Sequence, residues 1–171
     1  MTREIINNVA YIIRQICAVT GDKPGKTALQ KMVYLMQAEG IELGFKYGIH
    51  CYGPYSEALD AIVTLLAADD IVRVERKGSS HLMYVDSAYG IESDLGKETE
   101  EKIGRVIEKY KEKGPSKLGL LTTAHYVNRK MADRDLPDIV HGVQKIMGAK
   151  YSEEAIKEVI EELDLPGLGG G

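Results

Sequence analysis

Apolar residues return at helical spacing along almost the whole chain, and Gly or Pro interrupts each run. Ile5, Val9, Ile12 and Ile16 fall on one face, with Ile6 and Ile13 beside them, before Gly21, Pro24 and Gly25 break the chain. Leu29, Met32, Val33 and Met36 mark a second helix from about Lys26 to Glu39, with Gly40 as its C-terminal cap. Ser56 opens a third, carrying Leu59, Ile62, Val63 and Leu66. Further runs follow: Ile103 to Tyr110, stopped by Gly114-Pro115; Leu120 to Met131; Ile139 to Ile146, capped by Asp135 and ended by Gly148; and a last helix capped by Ser152. Only two places read otherwise. Residues 44–55, rich in Gly and aromatics, read as a short strand and a turn. Ile71–Arg76 and His81–Asp86, around Lys77-Gly78-Ser79-Ser80, read as a β-hairpin. The pattern predicts a mainly α fold with a small β-hairpin.

In the first part of the chain, helix, helix, short strand, helix and hairpin follow the order of a winged helix. Residues 1–90 are therefore expected to form a winged-helix-like part. Residues 91–164 form a helical extension packed on it in one compact domain, and 165–171 a flexible tail. A hydrophobic share of 44% and a charged share of 28% suit a globular chain and not a disordered one. No apolar run is long enough to span a bilayer, and the N-terminal residues lack the features of a secretion signal. The two cysteines, Cys17 and Cys51, make no disulfide framework, so a cytoplasmic location with reduced thiols is expected.

Gly21-Asp-Lys-Pro-Gly25-Lys26-Thr27 comes close to a nucleotide-binding phosphate loop. Such a loop needs four residues between its first Gly and the Gly-Lys-Thr, and it follows a buried strand. Here the spacer is one residue short and the preceding segment is an amphipathic helix, so no nucleotide is expected. Thr27 and Gln30 instead have the spacing of a capping box. His50 and Cys51 are adjacent, hence on opposite faces of a strand, and His81, His125 and His141 are scattered. No nucleophile elbow occurs. These features predict a protein without catalytic residues, metal or cofactor.

Winged helices often bind DNA through their third helix. The third helix here carries Glu57, Asp60, Asp69 and Asp70 and no Lys or Arg, the wrong sign for phosphates. Net charge is −4. A modest basic patch could still arise from Lys26, Lys31, Arg73, Arg76 and Lys77, so nucleic-acid binding is expected to be weak. Tyr34, Tyr47, Tyr52 and Tyr55 cluster around the Gly53-Pro54 turn. Tyrosine supplies rigid apolar area with one hydrogen-bonding end, which suits a core edge or a protein-binding surface. Tyr47, Tyr52 and Tyr55 are the candidate partner-binding residues.

Lys26-Thr27-x-Leu29-Gln30-Lys31-x-x-Tyr34-Leu35-x-Gln37, then Tyr52-Gly53-Pro54-Tyr55-Ser56 and the hairpin, resemble the Panacea domain. This is the SocA-like antitoxin family, with its YwgA-like relatives. The resemblance covers about residues 1–90 well and the helical second half less specifically. It implies a non-catalytic module that neutralises a partner toxin by direct binding or as a proteolysis adaptor, and it supplies no catalytic residues. A DNA-binding transcriptional regulator is the alternative.

Overall fold

The breakers set the element boundaries. In a computed structural model describing residues 3–130 and 135–163, the first helix, α1, spans Arg3–Thr20, and α2 spans Lys26–Ala38. Two short strands follow, β1 (Gly48–His50) and β2 (Gly53–Tyr55), then α3 (Glu57–Ala68). The hairpin is β3 (Val72–Lys77) and β4 (Ser80–Val85). The helices α4 (Lys97–Tyr110), α5 (Pro115–Lys130), α6 (Leu136–Met147) and α7 (Glu153–Leu163) complete the described residues, with one 3-10 turn at Gly148–Lys150. The structure is thus mainly helical with two small antiparallel strand pairs. No described helix is long and apolar enough to cross a membrane. The expected tail at 165–171 lies outside the described residues, as does Met131.

The chain divides into two compact units, Met1–Tyr47 with Ser56–Gly114, and Gly48–Tyr55 with Pro115–Gly171. This differs from the expected single domain partitioned near residue 90. The reason lies in α4 and in the first hairpin. In α4, Ile103, Val106, Ile107 and Tyr110 are buried, and the helix packs on α1 and α2. The second strand, β2, packs on α5 instead. The pair β1–β2 is also more than the strand and turn expected: Gly48 faces Tyr55 and His50 faces Gly53 across a turn at Cys51-Tyr52.

The core of the first unit includes Ile12, Ile13, Val33, Met36, Leu59, Met83, Ile103 and Ile107, all at most 1% exposed. Strands β3 and β4 pair from Val72–Val85 to Lys77–Ser80, and Gly78 at the turn has φ +63°. Glycine suits that left-handed position because it has no Cβ to clash. The loop between α1 and α2 adds to this sheet. Pro24 O accepts a 2.8 Å bond from Met83 N, and Gly25 bridges Leu82. The stretch that resembles a phosphate loop therefore has backbone committed to β4.

In the second unit α5 is central. It packs on α6, α7 and β2 and buries residues around its circumference, from Leu118 to Asn128. Its buried Thr122 and Thr123 hydroxyls turn back on their own helix, to Leu118 O at 2.8 Å and Gly119 O at 2.6 Å. That satisfies them without a partner elsewhere. A Cβ on Gly119 would lie 3.4 Å from Tyr52 O, so glycine lets the β1–β2 turn come close to α5.

Most caps sit where local spacing puts them. Ser56 Oγ accepts from Leu59 N at 3.3 Å, Asp135 and Asp138 form a reciprocal capping box, and Ser152 Oγ accepts from Ala155 N. Gly40, at φ +97°, closes α2. The expected Thr27–Gln30 capping box does not form. Gly25 is the N-cap of α2 and has no side-chain cap bond. Gln30 is engaged elsewhere: its Nε2 donates to Ser56 O at 2.9 Å, and its Oε1 accepts from Ser56 N at 2.8 Å. Gln37, two turns on, grips Phe45 in the same way, at 2.9 and 2.8 Å. The two amides act as clamps on the segments following α2. Ser56→Ala is accordingly expected to cost about 1 kcal/mol in urea unfolding. Thr27→Ala should fall within about 0.5 kcal/mol of wild type. Equal costs would contradict this assignment of the caps.

Candidate functional site

The tyrosines expected to form one surface part company in the structure. Tyr47 belongs to the first unit. Its hydroxyl donates to Gln30 O at 2.8 Å, and its ring meets Tyr34 edge-on, with centroids 5.2 Å apart and planes at 78°. Burial, and to a lesser degree the neighbouring Tyr34, pushes its phenol well above the ordinary range. A ring held this way walls the core and offers little to a partner. Tyr52 and Tyr55 belong to the second unit. Tyr55 is half-buried, its ring tilted against His50 with centroids 4.6 Å apart. Tyr52 sits at the β1–β2 turn and is 69% exposed.

A neighbour that sequence reasoning missed stands beside it. Ile49, on β1, is 37% exposed. An isoleucine in a strand reads as a core residue, and no local signal marks it otherwise. All three residues of β1 are exposed, while Gly53 and Pro54 of β2 are buried. The pair therefore turns β2 inward towards α5 and leaves β1 and the turn to solvent. Ile49 and Tyr52 together put an aliphatic and an aromatic side chain on one short hairpin. Large exposed apolar side chains of this kind are what protein interfaces draw on for anchors.

The candidate basic patch is also reduced. Lys31 is 2% exposed and lies among the buried residues of α2, so it belongs to the interior and faces no phosphate. Lys26 Nζ is 3.7 Å from Asp60 Oδ1. Arg73 Nε donates to Asp86 Oδ2 at 3.0 Å, with Asp70 3.7 Å from its Nη1. These two carboxylates raise the guanidinium further, the Asp86 hydrogen bond most, and Asp86 is in turn lowered by Ala88 N–H and then by Arg73. Glu75 on the same hairpin is lowered by its bond from Lys23. Arg76 and Lys77 alone of the five are exposed and make no ion pair among the described residues. Such surface pairs add little stability, but they neutralise charge that a nucleic-acid patch would need.

Histidines and cysteines do not assemble. His50, His81 and His141 are exposed, Cys51 is exposed and Cys17 is half-buried. Burial raises the Cys17 thiol, against a smaller lowering by Lys23. Among the described residues, no group of three or more His, Cys, Asp and Glu is placed to hold a metal ion. No protein-family model matches the chain, and no curated protein matches it.

Proposed function

We propose that this chain is a non-catalytic, cytoplasmic protein-binding module of the Panacea type, antitoxin-like in action. It neutralises a partner toxin by direct binding or as a proteolysis adaptor. The observation that carries the reading is the β1–β2 hairpin, which presents Tyr52 and Ile49 to solvent while β2 is buried. The motif residues Gln30, Lys31, Tyr34 and Gln37 support it from another side. They are buried or hold backbone, so the motif behaves as scaffold.

Within this proposal α1, α2, α3, β3 and β4 form a winged-helix-like part. Supporting it are the element order and the Gly25–Leu82 bridge, which gives the segment between α1 and α2 the place of a winged helix's short first strand. The alternative, a DNA-binding regulator, draws on Arg76 and Lys77. Against it stand the buried Lys31, the paired Arg73 and the acidic α3.

The test measures binding to the product of the adjacent gene by calorimetry. Tyr52→Ala is expected to weaken it by about 2 kcal/mol, or roughly thirty-fold, with the fold intact. DNA from the chain's own upstream region should bind no tighter than about 10⁻⁶ M near physiological salt. Nanomolar, sequence-selective DNA binding that is lost in Arg76→Ala would overturn the proposal.

A further inference from the structure

We propose that the cleft between residues 39–42 and α4 is a binding site for a small phosphate ester whose organic part carries hydroxyl groups. Two adjoining grooves, half open to solvent and of about 280 and 360 Å³, share Ile41 and Lys102 in their walls. Both lie wholly within the first unit. The smaller one is basic. Lys102, Arg105 and Lys109 stand at i, i+3 and i+7 on α4, so all three line one face. On a chain of net charge −4 this is a local reversal of sign. Glu39 answers Lys109 at 2.8 Å, and Glu98 answers Lys102 at 3.6 Å from a largely solvated position. Arg105 makes no ion pair among the described residues. With Lys102 and Lys109 already answered by carboxylates, a phosphate of charge about −1.5 to −2 pairs first with Arg105. The guanidinium fork matches phosphate oxygens in a bidentate way.

The larger groove has the opposite character. Glu42, Asp94 and Thr99 line it. Carboxylates repel a phosphate and accept hydrogen bonds from hydroxyls, so the ligand's orientation is set: phosphate on Arg105 and Lys102, hydroxyls towards Glu42 and Asp94. Asp94 is held by α1, its N–H donating to Asn8 Oδ1 at 3.0 Å and its carboxylate accepting from Asn7 at 3.4 Å. Ile41 and Val106, 4% and 5% exposed, supply an apolar floor for a carbon skeleton.

The experiment follows backbone amide shifts of the full chain at low salt during titration with ribose 5-phosphate, ribose, or inorganic phosphate. Ribose 5-phosphate is expected to saturate with a Kd on the order of 1 mM, with shifts confined to residues 39–42 and 94–109. Ribose and inorganic phosphate should each bind at least about ten-fold more weakly, since each occupies one end only. Arg105→Gln should weaken the ester about ten-fold or more, and Arg76→Gln, which removes an exposed cation elsewhere, should change nothing. Arg105 is exposed, so its substitution leaves the fold intact, checked by circular dichroism. Absence of saturation, equal loss in Arg76→Gln, or inorganic phosphate binding as tightly as the ester would each overturn the proposal. None of these results bears on the hairpin's role in binding protein.

Discussion

Gln30→Ala is expected to destabilise the protein by about 2 to 4 kcal/mol. Gln30 is 4% exposed, and its amide satisfies both backbone groups of Ser56, which is itself wholly buried. Truncation strands the buried Ser56 N–H, at about 1 to 3 kcal/mol, removes one of the two bonds to Ser56 O, which still accepts from Asp60 N, and leaves a cavity. Gln30→Met separates the two contributions. It keeps most of the volume and removes the hydrogen bonds, so it should still cost about 2 kcal/mol. Urea unfolding followed by circular dichroism measures both, and the midpoint should fall by roughly 1 M or more. A cost below about 1 kcal/mol for either variant would mean that the clamp contributes little.

The second large effect is a dependence on pH carried by His125. Burial, with a smaller contribution from Arg129, lowers this histidine from 6.5 to about 4. Above pH 6.5 the ring is neutral in both folded and unfolded chains and adds no pH dependence. As pH falls from 6.5 towards 4 the unfolded chain takes up a proton that the folded chain refuses, so stability declines through that window. The full shift corresponds to about 3 kcal/mol, and the ring's partial exposure reduces this to on the order of 2 kcal/mol. Carboxylates also lose stabilising contacts in acid, so the measurement is a difference. Between pH 7.5 and 4.5 the wild type should lose about 2 kcal/mol more than His125→Gln. Parallel losses in the two proteins would contradict the account.

What the sequence made legible follows a physical divide. Helix spacing and caps are local, because a residue at an N-cap bonds a group three positions on. Ser56, Asp135 and Ser152 were readable for that reason, and so was Gly40 at its left-handed position. Thr27 and Gln30 satisfy the same rule on paper, but the Gln30 amide finds Ser56 across the fold, and nothing near Gln30 announces it. Lys31 reads as a surface cation, yet it lies in an unbroken buried run from Leu29 to Met36. The near-continuous Leu-Gln-Lys-Met-Val-Tyr-Leu-Met is the one hint that this helix is enclosed on all sides. The tyrosines are the same residue type in one neighbourhood, and only tertiary contacts separate Tyr47, bonded to Gln30 O, from Tyr52 in solvent. The cations around Arg105 were passed over because their meaning depends on residues 39–42, which meet α4 only in the folded unit.

The placement of the β1–β2 hairpin has a consequence for how the chain is born. Residues 48–55 share a unit with α5, where Gly119 admits the Tyr52 carbonyl. About 60 residues separate them, so at about 5 to 20 residues per second the ribosome delivers the hairpin roughly 3 to 12 s before its cover. Three-residue strands cannot hold themselves together over that time. During synthesis Gly48–Tyr55 is therefore expected to be an open loop with Ile49, Tyr52 and Tyr55 bare, available to chaperones until α5 is made. Slowing translation over residues 115–130, once α1 to α4 have been made, should lengthen that exposure and leave the contacts among those helices unaffected.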